Sequence, residues 1–249
     1  MDTMLILGDG GLGRAVEAAA REMAADSTPG HEVRLVGRPR AGRHTPADLD
    51  GVTLVVEASR AEAVVPNLVA SLESGCRRFV VATTGWSADL PRVQALLDEC
   101  GAAAVVASNF SIGVVLFGRL VEAAVDLFGP LEAFDPYLLE WHRRSKRDRP
   151  SGTAGDLARR IAKVHPRLST PEDLEVVSVR AGASPGMHLV GFDAAGETVE
   201  LRLTARDRSA YAAGILAAAA WLEREPRSPG IHPFDPIVDE LIARDPIAA

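Results

Sequence analysis

The segment EWHRRSKRDRPSGTA, Glu140 to Ala154, gathers the side chains best suited to chemistry. His142 is a group that exchanges a proton near neutral pH. Arg143 and Lys146 follow closely. Between Glu140 and Pro150 five Lys/Arg face two acids, in a chain whose net charge is −7. Pro150 blocks a continuing element and pre-sets a turn. Ser151, Gly152 and Thr153 then precede a helical pattern at Leu157, Ile161 and Val164. Ser151 or Thr153 can cap that helix, and Thr153 with Asp156 makes a loose capping box. A helix N-terminus with a glycine that admits a ligand is an anion site. The cluster reads as a pocket for a small anionic molecule with an acid beside it. Three plainer readings compete: a helix cap and nothing more, a solvated basic loop, and a structural histidine.

A second constellation lies at the N-terminus. GDGGLG matches G-x-G-x-x-G, with Gly8, Gly10 and Gly13 in the fixed places. It follows the apolar run MLIL and opens a helical pattern, the context in which the motif means dinucleotide binding. Glycines there give a tight turn, close approach of a pyrophosphate, and packing of helix on strand. The bare alternative is a tight turn without a ligand. The second strand ends in Gly37-Arg38, where an acid would hold a ribose hydroxyl, and Arg40 and Arg43 follow. An arginine fork suits a 2′-phosphate, so NADPH is expected, with NADH possible.

These residues need a scaffold. The first half alternates short apolar runs (MLIL, VRLV, VTLVVE, RFVVA, AAVVA) with helical patterns, which predicts βαβ units and a parallel sheet covered on both faces. The second half holds FDPYLLE, LEVVSVR, MHLVGFD and ETVELRLT, the last two alternating and joined by a glycine turn, which predicts an antiparallel hairpin with one wet face. SAYAAGILAAAAWLERE is a strong helix, and PRSPGIHPFDP reads as a proline-rich connector before a terminal helix. The expected class is α/β: a Rossmann-like parallel-sheet domain plus a smaller α+β domain for substrate and oligomerisation, with a mainly antiparallel sheet. The expected boundaries are 1–111 for dinucleotide binding, 112–207 for substrate, and 208–249 for helices returning to the first domain.

At 249 residues the chain can bury a core, and 47% hydrophobic with 24% charged residues is ordinary for a globular protein. The acidic balance argues against a nucleic-acid partner. Two cysteines imply no disulfide framework and a reducing cytoplasm. The N-terminus shows no signal-peptide pattern, and no apolar run is long enough to span a bilayer, so no membrane partner is expected. No metal-ligand motif is read.

The order of motifs resembles the dihydrodipicolinate reductases of lysine and diaminopimelate biosynthesis. The stretches that carry the resemblance are EWHRRSKRDRPSGTA, GDGGLGRAV, ATTGW, SNFSIGV, RAGASPGMH and YAAGILAAAAWL. It implies reduction by NAD(P)H of a cyclic unsaturated imine dicarboxylate, in a cytoplasmic homotetramer built through the second domain's sheet. By position it implies that His142 and Lys146 are catalytic and that Arg143, Ser151, Gly152 and Thr153 bind substrate. Gly8, Gly10, Gly11, Leu12, Gly13, Arg14, Arg38, Ser59, Thr83, Thr84, Gly85, Asn109 and Phe110 are expected around the cofactor. The chain departs from the family pattern at Trp141, Arg143, Ser145, Met187 and Leu203, so the reaction is better specified than the substrate. Another cyclic imine, reduced or dehydrated, is the alternative substrate. A nicotinamide-binding regulatory protein without turnover is the alternative of another class.

Overall fold

The computed structural model describes residues 3–26, 32–36 and 49–244. It divides into two compact units: residues 1–111 with 208–249, and residues 112–207.

The first unit is built on a parallel sheet. Its strands are β1 (Thr3–Leu7), β2 (Glu32–Val36), β3 (Val52–Glu57), β4 (Arg78–Val81), β5 (Ala103–Val106) and β10 (Gly230–Pro233), in the order β10-β5-β4-β3-β1-β2. Every residue of β1 is buried, as a strand covered on both faces requires. The helices are α1 (Gly11–Asp26), α2 (Ala61–Glu73), α3 (Leu90–Cys100), α6 (Ser209–Arg224) and α7 (Phe234–Arg244). Leu5, Leu7, Val55, Phe79, Val81 and Leu97 form one core cluster with the inner faces of α2 and α3. Burying such side chains stabilises the fold by about 1.5–3 kcal/mol each. Leu7, Glu57 and Val81 are register partners, so the loops after β1, β3 and β4 leave the sheet at one edge. The strand order reverses at β1, between β2 and β3, the switch point where such sheets bind ligands.

One expectation fails here. The proline-rich connector contains a sixth strand, because Gly230 to Pro233 pair in parallel with Ala103 to Val106. Pro233 cannot donate to a ladder, but β10 is an edge strand with one free side, where proline is tolerated.

The second unit has a four-stranded sheet in the order β7-β6-β8-β9: β7 (Glu175–Arg180), β6 (Asp135–His142), β8 (Met187–Ala194) and β9 (Glu197–Thr204). The pairs β6–β8 and β8–β9 are antiparallel, and β6–β7 is parallel. Helices α4 (Ile112–Phe128) and α5 (Gly152–Val164) cover one face. Leu138, Val190 and Phe192 pack there against Phe117, Val121, Leu157 and Ile161. The other face carries Leu139, Trp141, Val177 and Leu189, all half-buried or exposed, with Trp141 at 39% and Val177 at 42%. No helix among the described residues is long and apolar enough to cross a membrane.

Candidate functional site

The sheet register of the second unit assembles the chemistry. Alternation along β6 sends Leu138, Glu140 and His142 to the helix-covered face. Glu140 lies opposite Ser178 on β7 and opposite His188 on β8, and His142 lies opposite Arg180. Glu140 is fully buried, and one oxygen collects three donors: Ser151 N at 2.9 Å, Ser178 Oγ at 2.5 Å and Arg180 Nη2 at 2.6 Å. The other oxygen has no hydrogen bond and faces His142 Nδ1 at 3.2 Å and His188 Nε2 at 3.9 Å. The two imidazoles meet edge to face, with centroids 5.3 Å apart. Ser151 Oγ lies 3.3 Å from His188 Nε2 and also accepts from Ala154 N, which makes it the cap of α5. The N-cap is therefore Ser151, one of the two alternatives, and Thr153 sits inside the first turn.

Electrostatics fix the protonation. Burial works to raise the Glu140 carboxyl, but the bonds from Ser151, Ser178 and Arg180 outweigh it and hold the pKa at about 2. Burial pushes His142 below its ordinary value; the Glu140 carboxylate opposes that, and Lys146 and Arg180 add to it. Burial, helped by His142, takes His188 to about 4. The set is a permanent carboxylate beside two imidazoles that are neutral at rest. Glu140, His142 and His188 each bring one ligand-type atom within 4.8 Å of the others, a spacing that suits a metal ion. The Arg180 cation bonded to Glu140 opposes one.

The surrounding loop is only partly convergent. Lys146 Nζ pairs with Asp148 Oδ2 at 2.9 Å. Arg143 is exposed, and its Nε donates to Ser145 Oγ at 3.1 Å. Gly152 is exposed, and a Cβ there would meet nothing within 4 Å. Trp141 and Met187 are register partners on the sheet face opposite His142, and Trp141 Nε1 donates to Ala181 O at 2.8 Å. Trp141 therefore does not crowd His142, although it is its neighbour in sequence. Leu203 lies opposite His188, on the helix-covered face. Gly186 packs on His142: a Cβ there would stand 3.1 Å from His142 Nε2.

The glycine turn of the first unit fits a dinucleotide. A Cβ at Gly13 would fall 1.8 Å from Gly8 O, and one at Gly8 2.4 Å from Ala58 O. Only glycine allows both approaches. Gly10 is exposed with open space beside it, Gly11 opens α1, and Leu12 is half-buried in its first turn. Arg14 Nε donates to Asp9 O at 2.9 Å. Helix α1 thus begins at the turn and directs its unpaired N–H groups there. Ser59 and Thr83 meet at the strand edge on a buried acid, Glu57. Thr84 and Gly85 are exposed next to Thr83. Asn109 Oδ1 accepts from Ser111 N at 2.9 Å, and the buried Phe110 ring lies 4.9 Å from that of Phe234. Arg38, Arg40 and Arg43 lie outside the described residues.

Sequence reasoning missed Glu140, Ser178, Arg180, His188 and Glu57 as site residues. Glu140, Arg180 and His188 stood inside stretches already marked by the resemblance, EWHRRSK and RAGASPGMH. Glu57 is an acid ending an otherwise apolar strand, a signal available in the sequence.

Comparison with known proteins agrees with this anatomy. Residues 113–234 match the family model for the C-terminus of dihydrodipicolinate reductase. The 4-hydroxy-tetrahydrodipicolinate reductase of Archaeoglobus fulgidus is 32% identical over 201 residues, 75% of this chain and 76% of the relative. That of Methanoregula boonei is 31% identical over 195 residues, 74% of each chain. The solved dipicolinate-bound dihydrodipicolinate reductase from Paenisporosarcina sp. TG-14 superposes with a TM-score of 0.67 at 19% identity, over 94% of this chain and 98% of the other, a likeness of fold. Sequence and architecture together show an oxidoreductase, and the chain belongs to the 4-hydroxy-tetrahydrodipicolinate reductase family.

Proposed function

We propose that the protein reduces 4-hydroxy-tetrahydrodipicolinate to tetrahydrodipicolinate with a nicotinamide dinucleotide, in lysine and diaminopimelate biosynthesis. The observation that carries the reading is the buried carboxylate of Glu140 at 3.2 Å from His142 Nδ1, beside the Ser151 turn. When bound, the dinucleotide supplies a hydride. Gly8, Gly10, Gly11, Leu12, Gly13 and Arg14 would hold its phosphates at the start of α1, with Ser59, Thr83, Thr84, Gly85, Asn109 and Phe110 around its remaining parts.

The protein's own contribution is charge and a proton. Ser151, Gly152 and Thr153 at the start of α5 would take a substrate carboxylate, with Arg143 reaching toward the same anion. Loss of the substrate's 4-hydroxyl as water gives an unsaturated imine, and hydride addition to it leaves an enamine-like anion that an acid must quench. His142 would supply that proton from Nε2, its other nitrogen turned to Glu140, and Lys146 would assist. An anionic substrate favours the imidazolium, so binding would charge His142 when the acid is needed. NADPH is the expected reductant on account of Arg38. The half-exposed apolar sheet face of the second unit supports assembly as a homotetramer.

The test is turnover of enzymatically generated 4-hydroxy-tetrahydrodipicolinate with each nucleotide. The expected kcat/KM exceeds ~10⁴ M⁻¹s⁻¹. A far lower value with dinucleotide binding intact would transfer the activity to another cyclic imine. NADPH should bind more tightly than NADH, and Arg38→Ala should erase the difference; a wild-type preference for NADH would refute the choice of cofactor.

A further inference from the structure

Glu57 has no part in the proton chemistry above, yet it is a fully buried carboxyl at the switch point of the parallel sheet. Its donors come from three separate segments. Ser59, just after β3, gives both its backbone N–H, at 2.8 Å, and its hydroxyl to Oε1. Thr83, just after β4, gives its hydroxyl to Oε1 at 3.2 Å. Asn67, on α2, gives its amide to Oε2 at 2.6 Å. The backbone of Ala58 and Ser59 is also the surface on which Gly8 rests. One carboxyl thus ties the loops after Glu57 and Val81 to helix α2, and the turn after Leu7 rests on the backbone of the first of these loops.

The directions of these bonds matter. A hydroxyl has one proton and two lone pairs. Ser59 and Thr83 both spend their proton on Glu57; Asn67 Nδ2 also donates to Ser59 Oγ at 3.4 Å, so Ser59 retains one lone pair and Thr83 two. Resting on the dinucleotide reading, we propose that Glu57 is a positioning residue of the cofactor site. It turns the Ser59 and Thr83 hydroxyls into acceptors for a hydrogen-bond donor of the dinucleotide, a carboxamide N–H or a ribose O–H. A phosphate has no such donor and is left to the glycine turn.

The experiment compares wild type, Glu57→Gln, Ser59→Ala and the double variant. Each is titrated by fluorescence or calorimetry with NADPH, its 3-acetylpyridine analogue, which lacks the amide N–H, and ADP-ribose, which lacks the pyridine ring. If the donor is the carboxamide, wild type prefers NADPH over the analogue by about tenfold, the worth of one such bond. Glu57→Gln then weakens NADPH by a similar factor and collapses the preference. If the donor is a ribose hydroxyl, the analogue binds wild type like NADPH, and Glu57→Gln weakens all three ligands alike. In both cases Ser59→Ala reproduces part of the loss, and the double variant is no weaker than Glu57→Gln alone, because the acid acts through the serine. Glu57→Gln binding all three ligands like wild type, or losses that simply add, would overturn the inference. Should Glu57→Gln not fold, Ser59→Ala decides: unchanged NADPH affinity there overturns it too. Wild type that binds no nicotinamide dinucleotide would remove the functional reading itself, and this inference with it.

Discussion

Glu140→Gln separates the two jobs of the buried carboxylate. The substitution keeps the oxygen shared by Ser151, Ser178 and Arg180 but removes the charge. Arg180, whose side chain is 1% exposed, then has no counter-ion. Breaking a buried pair costs about 3–5 kcal/mol, and the retained oxygen puts this change near 3 kcal/mol. For a chain of this size each kcal/mol moves Tm by about 2–4 °C, so calorimetry should show a fall of roughly 6–12 °C. His142 also loses the anion that favours its protonated form. General-acid help is worth about 10²–10⁴-fold, and kcat, followed by nicotinamide absorbance, should fall by about 10². The alkaline limb of the rate profile, where the acid loses its proton, should move to lower pH. Glu140→Gln/Arg180→Gln removes both charges; it should recover most of the Tm and none of the rate. Wild-type kcat in the single variant, or recovery of rate along with Tm in the double, would refute the assignment of Glu140 as counter-ion to an acid.

His142→Ala and Lys146→Ala should each lower kcat by about 10²–10⁴-fold while NADPH affinity stays at the wild-type value, because the proposed dinucleotide site uses the other unit; near wild-type rates in both would make the basic segment structural. Stability should fall as the pH drops from 6.5 toward 4. His188 is depressed from 6.5 to about 4, so its neutral form stabilises the fold above 6.5, and about 3 kcal/mol is lost as it is forced to charge. His142 and His165 act in the same direction, and Glu140, with its pKa lowered to about 2, adds a further loss below 4.5. Urea midpoints that stay constant down to pH 4 would contradict this. Val177→Glu, on the exposed sheet face, should shift the mass in sedimentation equilibrium from that of the proposed tetramer toward smaller species; an unchanged mass would move the proposed interface elsewhere.

The parallel sheet was legible because β1, β3, β4 and β5 are short runs apolar on both faces, which only a doubly covered sheet explains. Strand β10 was not, because Gly-Ile-His-Pro has neither the length nor the composition of a strand, and only its partner β5 makes it one. The acid–imidazole site was half legible. His142 and the Ser151 turn are local in sequence, whereas Arg180 and His188 reach Glu140 through register, which one sequence does not display. Trp141, next to His142 in sequence, stands off the site for a related reason: residues adjacent in a strand point to opposite faces. Helix boundaries followed the apolar periodicity closely, as α6 shows by running from Ser209 to Arg224 within the expected SAYAAGILAAAAWLERE.

The placement of β10 sets an order on synthesis. A ribosome delivers the chain from its N-terminus at about 5–20 residues per second. The second unit is one continuous stretch and can close on itself while later residues are still being made. The first unit cannot. Its edge strand and the helix α6 that packs on α1 are both encoded after residue 208. Until they emerge, β5 presents an unpaired parallel edge, a template for association between nascent chains. The older half of the protein is therefore the later half to mature, and holdase chaperones on nascent chains would find their target in residues 1–111.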